Sequence, residues 1–352
     1  MIKRKKKNKE HNPFYDPTLK KRHVSAKRFK KFTLTSLIFS VAFLAFFLFD
    51  MIGKGIPAFN IAYVKVDVTF NEKTLEDTRF AVPTEYRNLV SRAALRDLPK
   101  LLEENPTYMN STQNIWILAS SQVDQYIKNH NHNLKDKDIA KVDELYAQGL
   151  IDKKFNAIFF ENGDSKIPEY AGIFSAVIGS ILTLIITMAV AFPIGVMTAI
   201  YLEEFAGDNK FTRFIEININ NLAAIPSILF GLLGLAIFIN LFGMPRSSPL
   251  VGGLTLALMT IPIILVSSRA ALRAVPDSIR QAGYGLGLNK IQVTKDHVLP
   301  LAFPGVLTGS IIGLAQAMGE TAPLIIIGMI AFIPDAPSMV TQAATVMPAQ
   351  LF

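Results

Sequence analysis

Five stretches of this chain contain no Asp, Glu, Lys or Arg: Phe32 to Phe49, Tyr170 to Leu202, Ile217 to Pro245, Ser247 to Ser268 and Val298 to Gly319. Each reaches the roughly 18 apolar residues that mark a helix able to cross a bilayer. Hydrocarbon offers an exposed backbone no hydrogen-bond partner, so spanning segments must satisfy their own N–H and C=O groups. These stretches are therefore expected to be helices rather than open strands. Half of the 352 residues are hydrophobic and the charges are concentrated elsewhere, which argues against a pair of soluble domains. The expected class is an all-α polytopic membrane protein.

The formal charge of +8 is local in origin, because residues 1–31 hold 13 Lys or Arg against Glu10 and Asp16. The run Lys3 to Lys9 has the look of a nucleic-acid-binding tail. Its place directly before an apolar helix favours a cytoplasmic membrane anchor with no nucleic-acid partner, under the positive-inside rule. The apolar run ends in Asp50-Met51-Ile52-Gly53-Lys54 with no small-residue cleavage site, so it reads as an uncleaved span. The absence of cysteine excludes disulfides, thiolate metal sites and cysteine nucleophiles. No His pair or carboxylate cluster has metal-ligand spacing, and an enzyme buried in the membrane has little support.

With residues 1–31 as a basic cytoplasmic tail and 32–52 as the first transmembrane helix, residues 53–169 become an extracytoplasmic insert. Tyr63 to Phe70 alternates with period two like a strand, whereas Glu85 to Glu104 has helical spacing, so the insert reads as a small α+β module. Residues 170–333 form the membrane core, with a second span returning near Glu203-Glu204, a third from about Phe214, a fourth from Leu250 to about Ser268 and a fifth from about Phe303 to Ile333. Asn218, Asn220, Asn221 and Ser227 in the third span either line a pathway or bond between helices. The cytoplasmic loop 269–300 is basic, with Arg280, Lys290 and Lys295. Residues 334–352 would then lie outside.

Within that loop, Asp277 to Gly287 follows Pro276 and is amphipathic, with small residues at Ala282, Gly283, Gly285 and Gly287 that admit close approach of another surface. His297-Val298-Leu299-Pro300 is expected to close the loop, with Pro300 breaking the helix. The spacing Gln281-Ala282-Gly283, Gly287, Leu299-Pro300 resembles the cytoplasmic signature of membrane subunits of ABC importers of type I. Gln281, Gly283 and His297 depart from it. The resemblance implies a coupling loop of Gln281, Ala282, Gly283, Tyr284, Gly287, Leu299 and Pro300 that sits in a groove of an ATP-binding subunit. No phosphate loop of the Gly-x-x-x-x-Gly-Lys-Ser/Thr kind occurs, so ATP and Mg are expected on a partner and no cofactor on this chain.

Glu320 is the one charge between Val298 and Pro334. A carboxylate at the centre of a span costs about 3 kcal/mol on insertion scales and usually faces a cavity or a partner. Gly319 and Pro323 beside it invite a local break that frees backbone groups to line a polar path. The run Gly319-Glu320-Thr321-Ala322-Pro323 resembles the corresponding segment of phosphate-importer permeases of the PstA type. The insert, in particular Trp116 to Ser120 and Phe155 to Phe160, resembles the extra domain of one branch of that family. Gln316 stands where relatives often have Arg. The resemblance implies a translocation pathway or gate at Glu320, Thr321, Arg269 and Gln316. Glu320 either holds Arg269 or a partner-subunit Arg as a gate, which we favour, or is protonated and donates to phosphate; a purely structural ion pair is the plain alternative.

The implied function is an ATP-driven importer permease for phosphate in a bacterial inner membrane. The implied partners are a second permease subunit of the PstC type, two ATP-binding subunits of the PstB type, an extracytoplasmic binding protein of the PstS type, and membrane lipid. Another oxyanion (phosphonate, sulfate or molybdate) and a membrane-anchored sensor remain as alternatives. Relatives of this type have six spans, and the five counted here favour a chain truncated before a last helix.

Overall fold

The computed structural model describes residues 18–351 apart from Asp208, Ala223 and Ala331. The run Lys3 to Lys9, and the basic segment as far as Pro17, lie outside the described residues. The chain divides into two compact units, residues 1–61 and 62–352.

The first unit is dominated by helix α1, Leu19–Gly55. Its 37 residues rise about 55 Å, well beyond the roughly 30 Å of a hydrocarbon core. Helix therefore begins inside the segment 1–31 that the charge pattern marks as a tail. None of its residues is buried, and the apolar side chains from Phe32 to Phe49 are almost all exposed. Thr33, Thr35, Ser36 and Ser40 return their hydroxyl hydrogens to carbonyls three or four residues earlier, so this surface presents few free polar groups.

The second unit opens with a three-stranded sheet of order β2-β1-β3, where β1 is Asn60–Thr69, β2 is Thr112–Leu118 and β3 is Ile151–Phe155. The period-two pattern is realised: Ala62, Val64, Val66 and Val68 are buried, and β1 pairs antiparallel with β2 from Tyr63 against Leu118 to Thr69 against Thr112. Helical spacing over Glu85 to Glu104 is only partly realised, as α2 (Arg92–Arg96) and α3 (Leu98–Glu104). The hydroxyl of Ser91 accepts from the amides of Ala93 and Ala94. It thereby sets the start of α2 as an N-cap, and residues before it form turns. Helices α4 (Ser121–Ile127) and α5 (Asp136–Ala147) add Val123, Val142 and Leu145 to one core with Phe70, Leu89 and Leu95.

Helices α6 (Phe174–Ile200), α9 (Pro249–Arg273) and α11 (Leu299–Gly319) form the membrane core. Together with α1 and their short extensions they are the four described helices long and apolar enough to cross a membrane. They pack through small residues. A Cβ on Gly253 would stand 2.6 Å from Ile186 of α6, and one on Gly309 would stand 2.1 Å from the Ser267 hydroxyl. This is how membrane helices gain contact where the solvent is itself apolar. The contacts Gly253 to Ile186 and Gly195 to Ile264 make α6 and α9 parallel, while Gly305 against Ala271 and Gly313 against Thr260 make α11 antiparallel to α9.

The third uncharged stretch is not one spanning helix. It divides into an amphipathic α7 (Lys210–Leu222) and an apolar α8 (Ser227–Gly234) that continues as a π-helix over Leu235–Leu241. The reason is local: Asn218, Asn220 and Asn221 are uncharged yet polar, and Pro226, at the N-cap of α8, disfavours helix in the residue before it. Nor does Pro300 break the chain's helix. A capping box between Asn289 and Gln292 starts helix at Lys290, and a π-turn over Val293–Val298 carries it into α11. Pro300 follows that π-turn directly, and the turn's irregular hydrogen bonding accommodates its ring and missing N–H without ending the helix.

Residues 334–351 are held against the core at several points. Ala344, Thr345, Val346 and Ala349 are buried. Ala344 donates to the Ser247 carbonyl at 2.8 Å, the Met347 amide donates to the Ser180 hydroxyl at 2.9 Å, and the Gln350 amide donates to the Gly172 carbonyl at 3.2 Å.

Candidate functional site: a coupling helix and a broken span

The ends of α6 and α9 and the start of the Lys290–Gly319 helix meet at one end of the core, where Leu202, Leu272 and Val293 share an apolar cluster, and a charge network joins the ends of α6 and α9 to α7. Arg269 donates to Glu203 (3.2 Å) and to Glu216 of α7. Arg273 donates to both oxygens of Glu203 at 2.9 Å. Helix α10 (Asp277–Gly285) is tied in by Arg280, whose Nη2 donates to Glu204 at 2.7 Å and to the Leu272 carbonyl at 3.0 Å, while Nη1 reaches the Val275 carbonyl at 2.8 Å. One guanidinium thus neutralises a buried carboxylate and caps the last turn of α9. The hydrogen bond to Glu204, ahead of their mutual charge attraction, raises the affinity of Arg280 for its proton above the ordinary arginine value.

Gly283 faces inward: a Cβ there would stand 2.8 Å from Val293, so the departure from Ala in the signature lets α10 sit against the next helix. Gly287 has φ +81° and the Leu288 amide returns to the Gly283 carbonyl at 3.2 Å. This is the left-handed helix stop that glycine supplies without strain. The opposite face of α10 is open. Gln281, Ala282, Tyr284 and Leu286 are all exposed, Leu286 by 78%. Leu299 and Pro300 belong to the continuous helix that follows and not to α10.

At the other end, α11 stops at Gly319 and a short α12 (Ala322–Ile326) follows, so the expected break falls at Glu320 and Thr321. Glu320 is extended (φ −75°, ψ 122°) and half-buried, and its carboxylate forms no ion pair with any described residue. Gly231 of α8 lets Pro323 approach: a Cβ at Gly231 would stand 2.8 Å from the Pro323 backbone. Gln316 is exposed and Thr321 half-buried on the same stretch. Arg269 is not part of this group. It is spent on Glu203 and Glu216, and from Gly305, beside Ala271, to Glu320 the helix rises about 22 Å. The internal gate pair Glu320–Arg269 is therefore not formed.

Glu203, Glu204 and Glu216 were not singled out by sequence reasoning. The available signal was that a span ending in two carboxylates precedes another ending in two arginines, Arg269 and Arg273.

The core thus carries one exposed helix, α10, bracketed to it at one end and a polar break at the other. Residues 191–343 match the family of the binding-protein-dependent transport system inner membrane component. Residues 16–86 and 81–136 match a domain of unknown function. The chain is similar to the phosphate transport system permease protein PstA of Mycobacterium leprae, 35% identical over 45% of this chain and 52% of that protein. It is similar to the protein of the same name from Yersinia pestis, 33% identical over 50% of this chain and 59% of that one. The phosphate transport system permease protein PstA 2 of Mycobacterium bovis is 37% identical over 44% of this chain and 50% of its own length. The chain thus spans about half the length of the curated relatives it matches.

Proposed function

We propose that this chain is a permease subunit of an ATP-binding-cassette importer that carries inorganic phosphate across a bacterial inner membrane. The observation that carries the reading is the likeness of about half of its length to three phosphate transport system permeases. The N-terminus and α10 face the cytoplasm, and the insert faces outward. The basic residues Arg280, Lys290 and Lys295 at the α10 end of the core support this orientation.

In this reading two ATP-binding subunits of the PstB type hold ATP and Mg, and one takes the open face of α10 into a groove. Closure on nucleotide moves α10 as a lever. Arg280, fixed to Glu204, Leu272 and Val275, passes that movement to α6 and α9. Nucleotide shifts a population between inward and outward states and needs no chemistry on this chain. A PstC-type second permease subunit completes the pathway, and a PstS-type binding protein delivers phosphate. Glu320 meets an arginine of that second permease subunit and acts as a gate, with Thr321 and Gln316 beside it. Its lack of an ion partner among the described residues favours that assignment over a structural pair.

ATP-dependent uptake of labelled phosphate by the reconstituted four-component complex tests the reading, with sulfate and phosphonate as competitors. Uptake should be displaced by unlabelled phosphate alone; uptake indifferent to phosphate but blocked by sulfate or phosphonate would reassign the cargo. Glu320→Gln should preserve assembly while reducing uptake at least tenfold, and normal uptake would remove the gate.

A further inference from the structure

We propose that the insert carries an anion site of its own: a cleft of about 550 Å³ that receives a phosphate group. Its walls include Arg87, Arg92 and Arg96 on one side and Lys135 and Lys166 from two later segments. Two carboxylates, Asp138 and Glu169, line the same cleft, which leaves a local excess of three positive charges. Glu169 is already engaged, accepting from the Ser121 amide at 2.8 Å.

The five cations share a second property. Among the described residues none of them forms an ion pair, although elsewhere in the insert Arg79, Lys100, Lys128 and Lys141 each find a carboxylate. Five cations around one opening that holds only two carboxylates leave an unbalanced positive charge, and a multiply charged anion relieves the repulsion among them. Solvated cations on a convex face spread apart, whereas these converge on a concavity.

The cleft is also partly pre-arranged. The Arg87 guanidinium stacks over the Phe80 ring at 4.9 Å while its Nε donates to the Val82 carbonyl at 3.3 Å, and the Lys166 ammonium stands 5.7 Å from the Phe332 ring centre. A guanidinium held in place loses less entropy when it binds an oxyanion fork. A neighbouring hollow of about 350 Å³ shares Arg87 and Arg92 but is bounded by Arg79, which Asp77 neutralises at 2.6 Å. The anion therefore belongs in the larger cleft.

The phosphate group has two possible sources, free orthophosphate or the headgroup of an anionic phospholipid. The site does not depend on the transport reading, because it needs neither ATP nor the partner subunits. The test uses the purified full chain. Equilibrium dialysis with labelled orthophosphate at low salt, in a phosphate-free detergent, should give saturable binding that weakens at least tenfold in Arg92→Gln/Arg96→Gln. If a lipid is the source, orthophosphate will not saturate. In nanodiscs mixing phosphatidylcholine with phosphatidylglycerol, the wild-type chain should then retain phosphatidylglycerol that the double variant loses, as counted by native mass spectrometry. Lys135→Gln, on an exposed side chain of the opposite wall, gives a second reading should the arginine pair disturb folding, and should weaken binding at least threefold. Binding of both probes unchanged in the variants, or absent from the wild-type chain, overturns the site; failed uptake with intact phosphate binding would instead count against the transport reading.

Discussion

Gly283 within α10 and Gly287 just past its end have opposite jobs, and their substitutions separate them. Gly287 stands at φ +81° with nothing within 4 Å of a Cβ position. Gly287→Ala therefore meets backbone strain but no clash, and should destabilise by about 1 kcal/mol, read as a small fall in melting temperature. Gly283→Ala meets Val293 at 2.8 Å and should be rescued by Val293→Ala, measured in the same way. Additive losses in the double variant would show that the contact is not the cause. In the sequence both read as small residues that admit close approach. Gly283 does so, although its neighbour Val293 is named only by the fold, whereas Gly287 has no neighbour within 4 Å and serves as the left-handed stop, a role that reading did not assign.

At the scale of elements, the pinning of α10 is the feature with the largest energetic stake. The Glu204 side chain is 5% exposed and that of Arg280 is 16% exposed. Removing one member of a buried pair leaves the other charge stranded at a cost of roughly 3–5 kcal/mol, with the lower end expected here because Arg280 keeps some contact with water. Arg280→Gln should thus lower the melting temperature clearly, while Arg273→Gln, on a more exposed side chain, should lower it little. Equal effects would mean that burial does not set the worth of these pairs. At the joint between insert and core, the Tyr170 hydroxyl donates to Asp97 at 2.7 Å, and burial, followed by that bond, pushes its pKa above the ordinary tyrosine value of 10.0. The raised value means that the folded chain keeps this proton where the unfolded chain releases it. The stabilisation is whole below pH 10 and is lost as pH climbs past it. Tyr170→Phe should flatten the alkaline limb of a stability profile; an unchanged limb would assign that loss to other groups.

Across the whole molecule, uncharged length located α6, α9 and α11 correctly, because each run is also apolar and ends at charges or prolines. The same criterion failed at the third stretch, where Asn218, Asn220 and Asn221 are polar without being charged, and the structure has α7, a turn and α8 instead. The sheet was visible in the alternation of β1, while most of Glu85 to Ser91 lost its helical pattern to turns held by contacts such as Ser91 to Leu118. Partners 66 to 76 positions apart, as in Arg269–Glu203 and Arg280–Glu204, carry no local signature. The burial of Ala344 to Ala349 likewise depends on carbonyls and hydroxyls far back in the chain, at Ser247 and Ser180.

The natural chain contains no cysteine, so one introduced thiol reports one position. The account rests on α10 lying in the cytosol with its outer face free for an ATP-binding partner, and Leu286→Cys, at the most exposed point of that face, tests it directly. A membrane-impermeant maleimide should label this variant in inside-out vesicles and leave it untouched in intact spheroplasts, with Asn131→Cys on the insert showing the reverse. Labelling of Leu286→Cys from outside intact spheroplasts would contradict the orientation and, with it, the coupling of this chain to ATP.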